Sequence, residues 1–221
     1  MGRALGNARN SVTLQSLGNI VRVVTGANAL QSLGHNDNGW DQAQIMVTPN
    51  ASILTPFGQS NRLLKETWQP TVVHSSVSPA DLTNTTQIFF IATKNDSALN
   101  LRVVNLNSSA VRVRFSWAEE ACSRGSGGTA SVRVLRADSL AAVNTPAQPD
   151  LVSIADGAPL PIADSSLDYS APKFSISVIT IRGVECPRGS AAPALKAEAF
   201  DHLLAAAKFL KSNDDDDAAK F

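Results

Sequence analysis

AVRVRFSW at residues 110–117 and KFSISVITIRG at residues 173–183 decide how this chain folds. In the first, Val111, Val113 and Phe115 alternate with Arg112 and Arg114. Successive side chains of a strand point to opposite faces, so this is the pattern of an antiparallel strand buried on one side and wetted on the other. The second stretch predicts the same device with Phe174, Ile176, Val178 and, at its end, Thr180. Three more runs, TQIFFIATKND (86–96), LNLRVVNLN (99–107) and ASVRVLRA (130–137), are β-branched or aromatic and are separated by asparagine, serine, glycine and proline. Five such strands predict a mainly β chain, with an antiparallel sandwich of jelly-roll type over residues 71–186.

Toward the amino terminus the texture changes. VTLQSLGNIVRVV (12–24) has neither a clean helical nor an alternating face and reads as a short helix running into a buried element. SLGHNDNGWD (32–41) is a loop by its glycine, asparagine and aspartate, and QIMVT (44–48) a short strand. TPFGQSNRLLKETW (55–68) opens with threonine before proline, the start of a helix whose apolar side is Phe57, Leu63, Leu64 and Trp68. Toward the carboxy terminus, residues 187–221 form a linker and a helix, with Leu195, Ala199, Leu203, Ala206 and Leu210 on one stripe. Asp214 to Asp217 close it as a solvated acidic end, since consecutive aspartates do not reproduce the spaced ligands of a calcium loop.

A chain of 221 residues with 43% hydrophobic content can build a sizeable core. Lysine plus arginine equals aspartate plus glutamate at 19 each, so no overall field draws it to nucleic acid or an anionic membrane. No apolar run is long enough for a bilayer, and MGRALGNARNSVTL lacks the apolar block of a signal peptide. A piece of a longer precursor would have left its targeting segment behind. Cys122 and Cys186 are either buried free thiols or one bridge, and neither has a partner at metal-ligand spacing, so no metal and no cofactor is expected. GSGG at 125–128 has no helix to receive a phosphate and reads as a hairpin loop. Sequons at Asn50, Asn84, Asn95 and Asn107 tilt an otherwise open compartment slightly toward a secreted or extracellular protein. The oligomeric state stays open.

Several segments, in order, resemble the end of an α-L-arabinofuranosidase of glycoside hydrolase family 51. These are Arg9, Asn10 and Ser11 with VTLQSLGNIV, then Trp40 and QIMVTPNASILTPFGQSNRLLKETWQPTVV, then RVVNLNSSAVRVRF, then Asn144 to Pro146 with Pro149, Asp150 and Val152, and finally YSAPKFSISVITIRG. That family joins a (β/α)₈ barrel to a carboxy-terminal sandwich. The resemblance implies that residues 1–70 are a partial α/β unit, the remnant of the last βα unit, with residues 9–21 around the last barrel strand. The sandwich then follows at 71–186. It implies that the full-length enzyme hydrolyses terminal non-reducing α-L-arabinofuranosyl residues of plant-type polysaccharide, arabinan or arabinoxylan.

Retaining cleavage needs two carboxyl groups about 5 Å apart, one to protonate the leaving oxygen and one to attack the anomeric carbon. In the family both are glutamates on barrel strands. Here no Asn-Glu dipeptide occurs, and Glu66, the only glutamate before residue 119, stands beside Lys65 on a helix surface. Asp37 and Asp41 read as turn residues, and Glu119 and Glu120, adjacent on an extended chain, point apart. His35, His74 and His202 are scattered with no nucleophile signature. No catalytic residue is therefore assigned, and the chain alone is expected to be non-catalytic. The resemblance implies two substrate contacts. Asn19, in SLGNIV, stands where the family carries a side-chain amide near arabinose, with asparagine in place of glutamine; Trp40 either lines the cleft or packs in the core. The rival readings are a stand-alone sandwich that binds glycan and a structural or partner-binding module.

Overall fold

The computed structural model describes residues 1–18, 20–21, 23–25, 29–35, 43–73, 87–116, 128–163 and 166–183. Among them the elements run α1 (Gly2–Gln15), β1 (Leu30–Ser32), β2 (Ile45–Thr48), β3 (Ala51–Leu54), α2 (Pro56–Glu66), β4 (Thr71–Val73), β5 (Ile88–Lys94) and β6 (Ala98–Asn105). The chain continues through β7 (Val111–Ser116), β8 (Thr129–Arg136), β9 (Ile154–Pro161), β10 (Ser166–Ala171) and β11 (Ser175–Arg182). All lie in one compact unit, Met1–Gly189, and the expected terminal helix lies outside the described residues.

Six strands form the central sheet in the order β4-β5-β6-β11-β8-β9, every neighbouring pair antiparallel. A two-stranded ribbon of β7 and β10 packs on one face. Its apolar side brings Phe115, Leu167 and Tyr169 against Leu101, Val103, Val132, Ile179 and Ile181 of the sheet. Phe90 and Phe115 meet edge to face, 6.1 Å between ring centroids. The outer side of the ribbon is wet, and Arg114 pairs with Asp168 directly across from it, at 2.7 and 2.8 Å. The mainly β sandwich predicted by alternation in AVRVRF is the fold observed.

The other face of the sheet is covered by α1 and α2. Ala4, Leu5, Ala8 and Val12 of α1 and Leu63 and Leu64 of α2 lie with Ile91, Val104, Leu135, Ile176 and Val178. Here KFSISVITI departs from expectation. β11 is buried along almost its whole length because it sits mid-sheet, with the ribbon on one side and helices on the other. Ile179 and Ile181 face the ribbon while Ile176 and Val178 face the helices. Phe174 packs on the same side as Ile176 and Val178, but from the turn before the strand, at φ 43°, where its N–H donates to Asn107 O at 3.0 Å.

α2 starts as its sequence predicts. Thr55 is the N-cap, its hydroxyl accepts from Gly58 N–H at 3.1 Å, and Pro56 occupies the first turn. The same hydroxyl donates toward the carbonyls of Ala43 and Gln44 at 2.9 and 3.1 Å, docking the helix start on the segment that leads into β2. Gly58 is required at this approach, because a Cβ there would stand 2.3 Å from Gln44 O. Trp68 corrects the predicted apolar stripe: the helix is capped at Thr67, φ −108°, and Trp68 turns outward with 61% of its surface exposed. Residues 9–15, expected around a barrel strand, are helical in α1; a short parallel pair, β1 with β2, follows, and β3 completes that three-stranded sheet.

Candidate functional site

A cavity of about 500 Å³ opens between α1, α2 and the sheet. Val12 and Gln15 of α1, Asn61 and Lys65 of α2, Trp68 beyond the cap and Arg102 of β6 contribute to its lining.

Arg102 organises its polar wall. The residue is 2% exposed, and its guanidinium donates from Nη1 to Gln15 Oε1 at 2.6 Å and from Nη2 to the carbonyls of Leu64 and Thr67 at 3.1 and 2.6 Å. The last carbonyls of a helix carry partial negative charge and have no partner inside the helix, so a buried cation here caps α2. Asn100, two residues earlier on the same face, donates to Thr67 O at 2.8 Å. Burial pushes the Arg102 pKa down to about 10, so it stays charged at neutral pH. Its acceptors are one side-chain amide and two carbonyls, and Nε has none. Gln69 extends the network, donating to Ala98 O at 3.2 Å while its Oε1 accepts from the Thr93 hydroxyl at 3.3 Å.

No aspartate or glutamate lines the cavity among the described residues. Glu66, at the end of α2, is held on both oxygens, by Arg62 Nε at 2.8 Å and Arg133 Nη2 at 2.8 Å. The hydrogen bond from Arg62, then that from Arg133, keeps its carboxyl below the usual range, the opposite of the raised value a general acid needs. Asp168 is likewise lowered, first by its hydrogen bond from Arg114, and Asp138 pairs with Lys173 at 3.1 Å. Among the described residues no group of three His, Cys, Asp or Glu is placed to hold a metal ion, and no helix is long and apolar enough to cross a membrane.

Asn19 and Trp40, the expected substrate contacts, lie outside the described residues, as do Asp37, Asp41, Glu119, Glu120, Cys122, Cys186, His74, His202 and most of the GSGG loop. His35 is exposed in the turn after β1, its N–H donating to Ser32 O. Arg102 and Gln15 were not singled out from sequence, and Trp68 was expected on the apolar side of its helix rather than exposed at a cavity. An arginine inside an alternating run reads as a wet face, and the partners of Arg102 lie 35 to 87 residues away along the chain.

No protein-family model matches the chain, and no curated protein matches it by sequence. Solved structures do match. The chain is similar to an arabinose-bound family-51 α-L-arabinofuranosidase, MgGH51, with TM-score 0.69 and 21% identity over 83% of this chain and 27% of that one. The α-L-arabinofuranosidase of Thermotoga maritima in complex with arabinose matches at TM-score 0.64 and 19% identity, over 81% of this chain and 38% of that one. The family-51 enzyme of Thermotoga petrophila RKU-1 matches at 0.60 and 20%, over 79% and 37%. The chain therefore has the fold of one part of these structures, and spans between a quarter and two fifths of their length.

Proposed function

We propose that the chain is the carboxy-terminal part of an α-L-arabinofuranosidase. In this reading residues 1–70 are the remnant of the last βα unit, residues 71–186 the accessory sandwich, and residues 187–221 a linker, helix and acidic tail. The full-length enzyme releases terminal non-reducing α-L-arabinofuranosyl residues from plant-type polysaccharide by double displacement with retention, and this part supplies no catalytic carboxylate. Asn19 and Trp40 remain its proposed arabinose contacts. The observation that carries the reading is the likeness in fold over 83% of this chain to an arabinose-bound α-L-arabinofuranosidase. The ion pairs that hold Glu66 below the usual carboxylate range argue against a general-acid role for that residue.

Two measurements test it separately. The purified chain is expected to leave an aryl α-L-arabinofuranoside intact, and turnover at the level of a complete glycosidase would overturn the non-catalytic role. The transcript upstream of Met1 is expected to continue in frame into further βα units. A stop codon closing that frame would overturn the assignment to a larger enzyme.

A second reading, a sandwich that binds glycan without cleaving it, is favoured by Trp68, whose exposed ring stands beside the cavity with Asn61 and Gln69 in its lining. A flat apolar face next to amides suits a sugar ring. Retardation on a polysaccharide affinity gel that is lost in Trp68→Ala would select it.

A further inference from the structure

Three of the four sequons lie among the described residues, and the fold treats their amides differently. Asn50 sits at the tip of the β2–β3 hairpin, beside the pair Thr48 and Ala51. The turn is closed without it, since the Thr48 hydroxyl accepts from Ala51 N–H at 3.0 Å and donates to Ala51 O at 3.2 Å. Asn50, Ala51 and Ser52 are all exposed. Asn107 is the opposite case. Its Nδ2 donates at 2.8 Å to Oδ1 of Asn105, a residue with no exposed surface whose own Nδ2 donates to Ala171 O and Pro172 O. Asn95 falls between them: its Oδ1 accepts from the N–H groups of Ser97 and Ala98 at 3.0 and 2.9 Å and from the Ser97 hydroxyl at 3.4 Å, so its turn uses both ends of the sequon.

We propose that Asn50 is an N-glycosylation site, the position among the three described sequons at which this fold carries an N-linked oligosaccharide without losing structure. In the transfer, Nδ2 of Asn50 bonds to the anomeric carbon of a lipid-pyrophosphate-linked oligosaccharide. The bond from that carbon to the pyrophosphate oxygen breaks, the amide nitrogen gives up one proton, and the lipid pyrophosphate leaves. Ser52 supplies the hydroxyl that makes the tripeptide an acceptor. The sugar meets the chain before folding is complete, so the fold then acts as a filter. At Asn50 the added bulk projects from a hairpin tip into water. At Asn107 it sits on the nitrogen that braces Asn105, and Asn105 ties the end of β6 to the turn between β10 and β11.

The test is to pass the whole chain through a eukaryotic secretory host and recover the folded, secreted product. Treatment with an amidase that converts each glycan-bearing asparagine to aspartate, followed by peptide mass mapping, reads the occupied sites. Conversion at Asn50 with Asn107 left as asparagine is expected, with Asn95 between them. Ser52→Ala should lose the Asn50 glycan while keeping the parent's urea midpoint, because Ser52 is exposed. An unmodified Asn50 in the secreted product, or Asn107 occupied at an unchanged midpoint, would overturn the proposal.

Discussion

The two faces of the central sheet are buried by different means. Toward the ribbon, Leu99, Leu101 and Val103 of β6 and Ile179 and Ile181 of β11 meet other apolar side chains, and the Tyr169 hydroxyl is satisfied by Ser177 Oγ at 2.7 Å. Toward the helices, the same β6 presents Asn100 and Arg102, both spent on the end of α2. Apolar packing tolerates small slides between layers, whereas hydrogen bonds to helix-end carbonyls accept one placement. Both faces bury an apolar cluster; the helix face adds the hydrogen bonds that fix where α2, and with it the cavity, stands.

This contrast can be broken by three substitutions. Ile179→Ala empties the ribbon face and is expected to cost the most, about 2–5 kcal/mol of unfolding free energy from lost burial plus the cavity left behind. Urea denaturation reads it, and a cost under about 1 kcal/mol would mean that the ribbon collapses onto the gap. Arg102→Met keeps much of the buried bulk but removes the guanidinium from Leu64 O and Gln15 Oε1 and leaves Thr67 O with the Asn100 amide alone, for a loss of about 1–3 kcal/mol. Its sharper readout is faster amide exchange confined to the last turn of α2. A variant as stable as the parent, with α2 equally protected, would remove the anchoring role.

Glu66→Gln is the smallest. Because the folded carboxyl lies below its usual value, its pairing contributes stability above the ordinary carboxylate range, and that contribution fades as pH falls through the folded value. Both partners are more than a third exposed or nearly so, and water screens them, so the difference at pH 7 should be only about a few tenths of a kcal/mol and should shrink as pH falls below the ordinary carboxylate range. A difference that persists in acid would show that Glu66 acts through packing instead.

The same contrast explains what was legible in the sequence. β5, β6, β7, β8 and β11 announce themselves through β-branched and aromatic runs, and α2 through Thr55 and Pro56. β9, IADGAPLP, does not, because glycine and two prolines hide a strand that survives only at the sheet edge. α1 is equally muted: its buried stripe is Ala4, Leu5, Ala8 and Val12, too small and too diluted by Gly2, Gly6, Asn7 and Asn10 to give a strong periodic signal. The site was the least legible part. Whether an arginine in a strand is wet or buried depends on what the rest of the chain lays over it, and for Arg102 that is a helix end and a glutamine from distant segments.

β9 also limits what the protein can become. Pro159 and Pro161 lack the N–H that an incoming chain would pair with, and at the far border β4 has only three residues. Neither margin templates stacking of one copy on the next. Crowded or partly unfolded, this polypeptide has poor starting points for fibril growth at the borders of its largest sheet.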